Sequence, residues 1–209
     1  MNDLFVLTAD ADAQALFESV LKRNRDLGVR PISARVQRFP GRDSGMVKEG
    51  PEIARALVAK TEYSRLVLVW DLHGSGWEGI GGESSVDRIQ QRLDGVTFTD
   101  RSTAVVAVPE LEEWLWYCRD SLAGHLGMAA EQFEAEVARV ANTKFGRQPE
   151  QCCREAPKEL FEALFYQRMR RQPLPEDFKR IAARADLTNW ENSATFARLV
   201  RILRDWFPV

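Results

Sequence analysis

LVLVWDLHGSGWE, residues 66–78, decides how this chain is read. Leu66 to Trp70 are consecutively apolar and of strand length. A strand with no polar alternation is covered on both faces, as in a parallel sheet sandwiched by helices. The run stops on Asp71, followed by Leu72, His73 and a glycine-rich loop closed by Glu78. A carboxylate at the end of such a strand is costly to bury without a partner. The stretch therefore points to a strand end that holds a metal or a phosphate, or to the remnant of such a site.

Outward from this strand, helix and strand signals alternate. Leu4–Thr8 (LFVLT) reads as a first strand. Ala13, Leu16, Phe17, Val20 and Leu21 follow with the spacing of one buried helix face, and Gly28 ends that segment. Residues 32–39 read as a second strand and 40–50 as a polar loop, with Pro51 opening a helix to Thr61. A helix from Ser84 carries Val86, Ile89 and Leu93 inward. Thr103–Val108 (TAVVAV) is the fourth strand, and Pro109 takes the first helical position before 110–118. Beyond Asp120 the pattern is helical only, over 129–141, 156–171, 175–185 and 193–207, with a loop at 142–156. The expected fold is α/β, a mostly parallel Rossmann-like sheet with flanking helices over 1–118, and an all-helical extension over 119–209 packed on it.

Bulk properties narrow the chemistry. The 209 residues carry a net charge of −2, with no footprint for nucleic acid over the chain as a whole. Residues 1–118 hold 14 Lys/Arg against 18 Asp/Glu, and 119–209 hold 15 against 13, an asymmetry too small to name a partner. Cys118, Cys152 and Cys153 form no disulfide framework or zinc ribbon, so a cytoplasmic setting is expected. No signal peptide and no membrane span are expected. With two histidines, His73 and His125, any metal falls to carboxylates, which favours magnesium or manganese.

In parallel sheets, ligands collect at the carboxyl ends of the strands. Acids follow three of the four expected strands: Asp10 and Asp12, then Asp71 and Glu78 with His73, then Glu110, Glu112 and Glu113. Neighbouring first, third and fourth strands would bring Asp10, Asp71 and Glu112 to one cation, and two such ions could clamp a phosphodiester. Plainer roles stand beside these. Asp10 and Asp12 suit a helix cap, and the three glutamates suit a helix N-terminus. The loop 74–83 lacks the Lys and Ser/Thr of a phosphate-binding loop. Trp77 reads as packing rather than base stacking, and Arg168, Arg170 and Arg171 read as a solvated helix end.

The order of LTADAD (7–12), WDLHG (70–74), EEWL (112–115), APKELFEAL (156–164) and NSATFARLVRIL (192–203) resembles TOPRIM-like proteins, specifically small bacterial ones with a helical C-terminal extension. The resemblance spans nearly the whole chain and implies a TOPRIM-like sheet with metal-dependent phosphodiester chemistry. Asp71, His73 and Glu112 would be catalytic, and Asp10, Asp71 and Glu112 metal-holding. The carry-over is partial. Thr8 and Ala9 stand where the family has a glutamate, and His73 replaces the second acid of its Asp-x-Asp pair. Proteins of this type occur in bacterial anti-phage defence clusters, including methylation-associated ones. Three readings follow. The first is a degenerate TOPRIM-like subunit of a defence assembly that binds other defence proteins or nucleic acid. The second is a Mg- or Mn-dependent nuclease. The third is a nucleotide or small-molecule sensor.

Overall fold

The computed structural model describes residues 2–61, 63–95 and 99–209. Among them, four strands form one parallel sheet: β1 (Asn2–Thr8), β2 (Ala34–Arg38), β3 (Tyr63–Asp71) and β4 (Ser102–Ala107), in the order β2-β1-β3-β4. The chain leaves β1 toward one edge, then crosses back over it to build β3 and β4 on the other side. The reversal opens a crevice at the carboxyl ends of β1 and β3.

The side chains of β1 and β3 alternate between two apolar layers. Leu4, Val6, Val67, Val69 and Val105 face one layer, together with α1 (Ala11–Val20) and the C-terminal helices. Phe5, Leu7, Leu66, Leu68, Trp70 and Val106 face the other, with α3 (Arg42–Thr61) and α4 (Gly82–Leu93). A short helix, α2 (Asn24–Leu27), follows α1 and ends on Gly28, whose φ of 70° is the left-handed value glycine takes freely.

After β4 come α5 (Glu112–Leu115), α6 (Arg119–His125), α7 (Ala130–Val140), α8 (Pro149–Glu155), α9 (Pro157–Met169), α10 (Pro175–Arg184), α11 (Leu187–Trp190) and α12 (Ala194–Trp206). Their apolar faces merge with the first layer. Phe161, Phe165, Phe178 and Phe196 are buried there, each worth about 1.5–3 kcal/mol of burial. Among the described residues no helix is long and apolar enough to cross a membrane.

Four local expectations change. Residues 42–50 are helix, not loop, because α3 runs through Pro51. Proline offers no N–H to the carbonyl four residues back. Arg92 of α4 supplies the missing donor, its Nη1 bonding the Val47 carbonyl and its Nη2 the Lys48 carbonyl. Pro109 does not start a helix: the Val108–Pro109 peptide is cis, and α5 begins three residues later. Within the expected loop 142–156, Pro149 opens α8. The basic cluster near 170 is engaged rather than simply solvated. Arg168 donates to the Leu126 and Gly127 carbonyls, and Arg171 pairs with Asp177.

Candidate functional site

Asp71 is the last residue of β3 and is only 7 % exposed. Its carboxylate accepts the Leu111 N–H at 2.9 Å, so the turn after β4 is folded around it. Its own N–H donates to Asp43 Oδ1 at 2.8 Å. That contact puts the first turn of α3 against the end of β3 and places a second carboxyl group beside Asp71. Burial pushes the Asp71 carboxyl well above its usual range, and Glu112, Asp10 and Asp43 push it further the same way. Burial, aided by Asp10, also raises Asp43.

Asp10 follows β1 and caps α1, its Oδ1 accepting the Ala13 N–H at 2.7 Å. The helix-cap role expected for Asp10 is therefore real, and it coexists with its place beside Asp71. Asp12, in the first turn of α1, is raised to about 6 by burial and by Asp10.

Glu112 reaches the same place from α5 and is 4 % exposed. Burial drives its carboxyl up to about 8, against the pull of Lys158 and with a further push from Glu110 and Asp10. The rest of the EEWLW segment anchors this glutamate. Glu113 accepts the Ser193 hydroxyl at 2.8 Å, and Trp114 Nε1 donates to Thr195 Oγ1 at 2.7 Å. Trp116 Nε1 donates to the Pro157 carbonyl at 3.0 Å. Both tryptophans are buried.

The Trp116 bond fixes the start of α9, and with it Lys158. Burial works against the charge of Lys158, yet Glu112, Glu110, Asp71 and Asp10 outweigh it and hold the ammonium above the usual lysine range. One half-buried cation from the C-terminal helices thus faces the carboxylates of three strand ends.

Asp10, Asp71 and Glu112 lie near enough to act electrostatically on shared neighbours, but their carboxylate oxygens do not all come within 4.8 Å of one another. His73 lies to one side. Its Nδ1 is 3.2 Å from Glu110 Oε1, and its N–H donates to the Pro109 carbonyl. With Glu110 and Glu159 it forms a group whose candidate ligand atoms all lie within 4.8 Å of one another. Burial raises Glu110, and Glu159 adds to this while Lys158 and His73 oppose it. Glu78 serves the loop, accepting the Gly74 N–H at 2.8 Å. Trp77 packs against the second apolar layer under Arg88, as packing rather than stacking on a base implies.

Asp43, Lys158 and Glu159 were not singled out by sequence. Asp43 lies in what reads as a polar loop, and Lys158 lies well beyond β4, the last strand, which ends at Ala107. The signal available for Lys158 was its place in the APKELFEAL segment.

Comparison of the chain with models of known protein families, with curated proteins and with solved structures found no match.

Proposed function

We propose that the chain is a TOPRIM-like, divalent-cation-dependent enzyme that hydrolyses phosphodiesters at the carboxyl ends of β1, β3 and β4. The observation that carries this reading is the buried carboxyl group of Asp71, joined through its N–H to Asp43 and near enough to buried Glu112 and to Asp10 for both to push it up. Such crowding destabilises the fold unless protons or cations relieve it, and Lys158 supplies a single positive charge. The donors are all carboxylate oxygens, which suits magnesium or manganese. Asp10, Asp71 and Glu112 would hold the ion, and its contribution is Lewis acidity at a phosphoryl oxygen. Lys158 faces the same space and would offset charge on the phosphoryl oxygens. Asp12, raised to about 6, has the proton affinity of a general base for an attacking water near neutral pH.

The test is titration of Mn²⁺ into the protein by calorimetry, paired with nicking of supercoiled DNA. The parent is expected to bind Mn²⁺ and to nick, and Asp71→Asn to do neither while remaining folded. Equal nicking by parent and variant removes the reading.

A second reading has its own support. Thr8, where TOPRIM-like proteins carry a glutamate, is fully buried and its hydroxyl donates to the Asp10 carbonyl at 3.1 Å. That position offers no acid or base. A protein that kept the fold and lost cleavage would act as a subunit of a defence assembly, binding its partner proteins or nucleic acid. Co-purification with the products of neighbouring genes, without any Mn²⁺-dependent nicking, would favour it.

A further inference from the structure

A cleft of about 530 Å³ opens over the carboxyl ends of β1 and β2, next to the acidic cluster. Asp10, Asp12 and Asp43 make one wall, and Arg38, Arg42 and Lys158 supply positive charge around them. Arg38 is the last residue of β2 and sits in register with Thr8 at the end of β1. Arg42 opens α3. Its φ of 53° is left-handed, a conformation that costs a non-glycine residue about 1–2 kcal/mol and concentrates at functional sites.

Arginines beside carboxylates ordinarily pair with them. Here the side chains of Arg38 and Arg42 make no hydrogen bond or ion pair among the described residues. The nearby acids are engaged elsewhere: Asp43 accepts the Asp71 N–H and Asp10 accepts the Ala13 N–H. Two guanidinium groups therefore face the cleft with their donor forks free. A planar fork of this kind matches a phosphate.

The opposite flank of the acidic cluster has the reverse character. On the β4 side stand Glu110 and Glu159, with His73 between them. A polyanion lying across the acidic cluster is thus attracted toward β2 and repelled toward β4.

We propose that Arg38 and Arg42 bind a second phosphate, next to the one positioned at the acidic cluster, so that the substrate carries a further phosphate on one side only of the scissile one. This rests on the hydrolytic reading above. A nucleic-acid strand and a nucleoside polyphosphate share that chemistry, and the substrates below separate them.

The experiment compares kcat/KM with Mn²⁺ for the thymidine dinucleotides TpT, pTpT and TpTp, and for thymidine triphosphate. One of pTpT and TpTp is expected to exceed TpT by about tenfold, the scale of a charge-assisted phosphate contact. In Arg38→Ala/Arg42→Ala that ratio should fall to within about twofold, with the melting temperature of the parent retained. Preference for the dinucleotides assigns a strand as the source, and preference for the triphosphate assigns a free nucleotide. Gains of equal size on both sides, no gain on either, or a gain that survives in the double variant overturn the proposal.

A measurement without turnover keeps the two readings apart. Fluorescence anisotropy of a labelled ten-residue oligothymidylate should show a salt slope that falls by about 0.7 in the double variant, the value for one phosphate contact on a single strand. Binding that depends on these arginines, in a protein that neither holds Mn²⁺ nor cleaves, would sink the hydrolytic reading and leave the phosphate subsite. Mn²⁺ binding with strand affinity indifferent to both arginines would do the reverse.

Discussion

Two buried aspartates, Asp71 at the end of β3 and Asp177 at the start of α10, sit in opposite electrostatic conditions. Asp177 is 3 % exposed and is surrounded by donors. Arg171 reaches it through both terminal nitrogens at 2.6 and 2.9 Å, His125 Nε2 lies at 3.0 Å, and the Leu174 N–H donates to it at 2.8 Å, tying down the entry of α10. Burial alone would raise its pKa, but these partners outweigh burial and hold the carboxyl below its usual range. Asp71 is nearly as buried, accepts one backbone N–H, and faces other acids. The first arrangement finishes a structure. The second leaves negative charge that the protein's own groups do not balance, which is the physical signature of a place for a ligand.

The largest effect should come from breaking the finished arrangement. Asp177→Ala strands a buried imidazole and an arginine and uncaps α10, so urea denaturation should show a loss of about 3–5 kcal/mol. The same operation at the crowded site should have the opposite sign. Asp71→Asn keeps the shape and the acceptor for the Leu111 N–H while removing a charge. In EDTA it should stabilise the protein by about 1–2 kcal/mol, and it should abolish the stabilisation that Mn²⁺ gives the parent. A loss of stability in EDTA would mean that Asp71 is balanced after all.

The pH dependence separates the same two regions. Glu112 has a folded pKa of about 8 against an ordinary value of 4.5. A raised pKa means that the stability this group supplies is fully present below about 4.5 and is lost as pH rises through 8. Asp177 is depressed, so its contribution is present above its ordinary value of 3.8 and is lost as pH falls through the folded value. Melting temperatures in EDTA should therefore fall from pH 5 to pH 8.5, with a shallower fall in Glu112→Gln. The decline below pH 4 should weaken in Asp177→Asn. A flat profile between pH 5 and 8.5 in the parent would mean that the carboxylates are not crowded.

How much of this could be read in the sequence differs residue by residue. Asp71 was legible because a strand apolar on both faces ends on it, so its burial follows from local pattern alone. The alternation of elements and the rules for parallel crossovers give a parallel sheet but not its strand order, and the neighbouring placement of β1, β3 and β4 is what the structure supplies. Asp43 was not legible. The stretch before Pro51 carries Gly45 and Gly50, which read as loop. Both glycines are packing positions: a Cβ on Gly45 would come within 2.9 Å of the Phe39 ring, and one on Gly50 within 3.3 Å of Leu68. Tertiary packing, together with Arg92 bridging the gap left by Pro51, overrides the local propensity. Lys158 was hidden for a different reason. Its neighbours are set by the docking of α9 on Trp116, a contact between segments 41 residues apart.

Lys158 gives the smallest predicted effect and the finest test of the comparison. It does at the crowded site, weakly, what Arg171 and His125 do for Asp177. Its partly solvated charge makes no direct ion pair among the described residues, so Lys158→Gln should cost only about 1 kcal/mol at pH 8. At pH 5, where Glu112 carries a proton in the folded state, the cost should shrink toward zero, whereas Arg171→Gln beside an ionised Asp177 should cost the same at both values. Equal costs at pH 5 and pH 8 for Lys158→Gln would place the lysine outside the influence of the acids. A cost that grows with pH, and that added Mn²⁺ removes, would mean that the ammonium and the metal answer the same excess of negative charge.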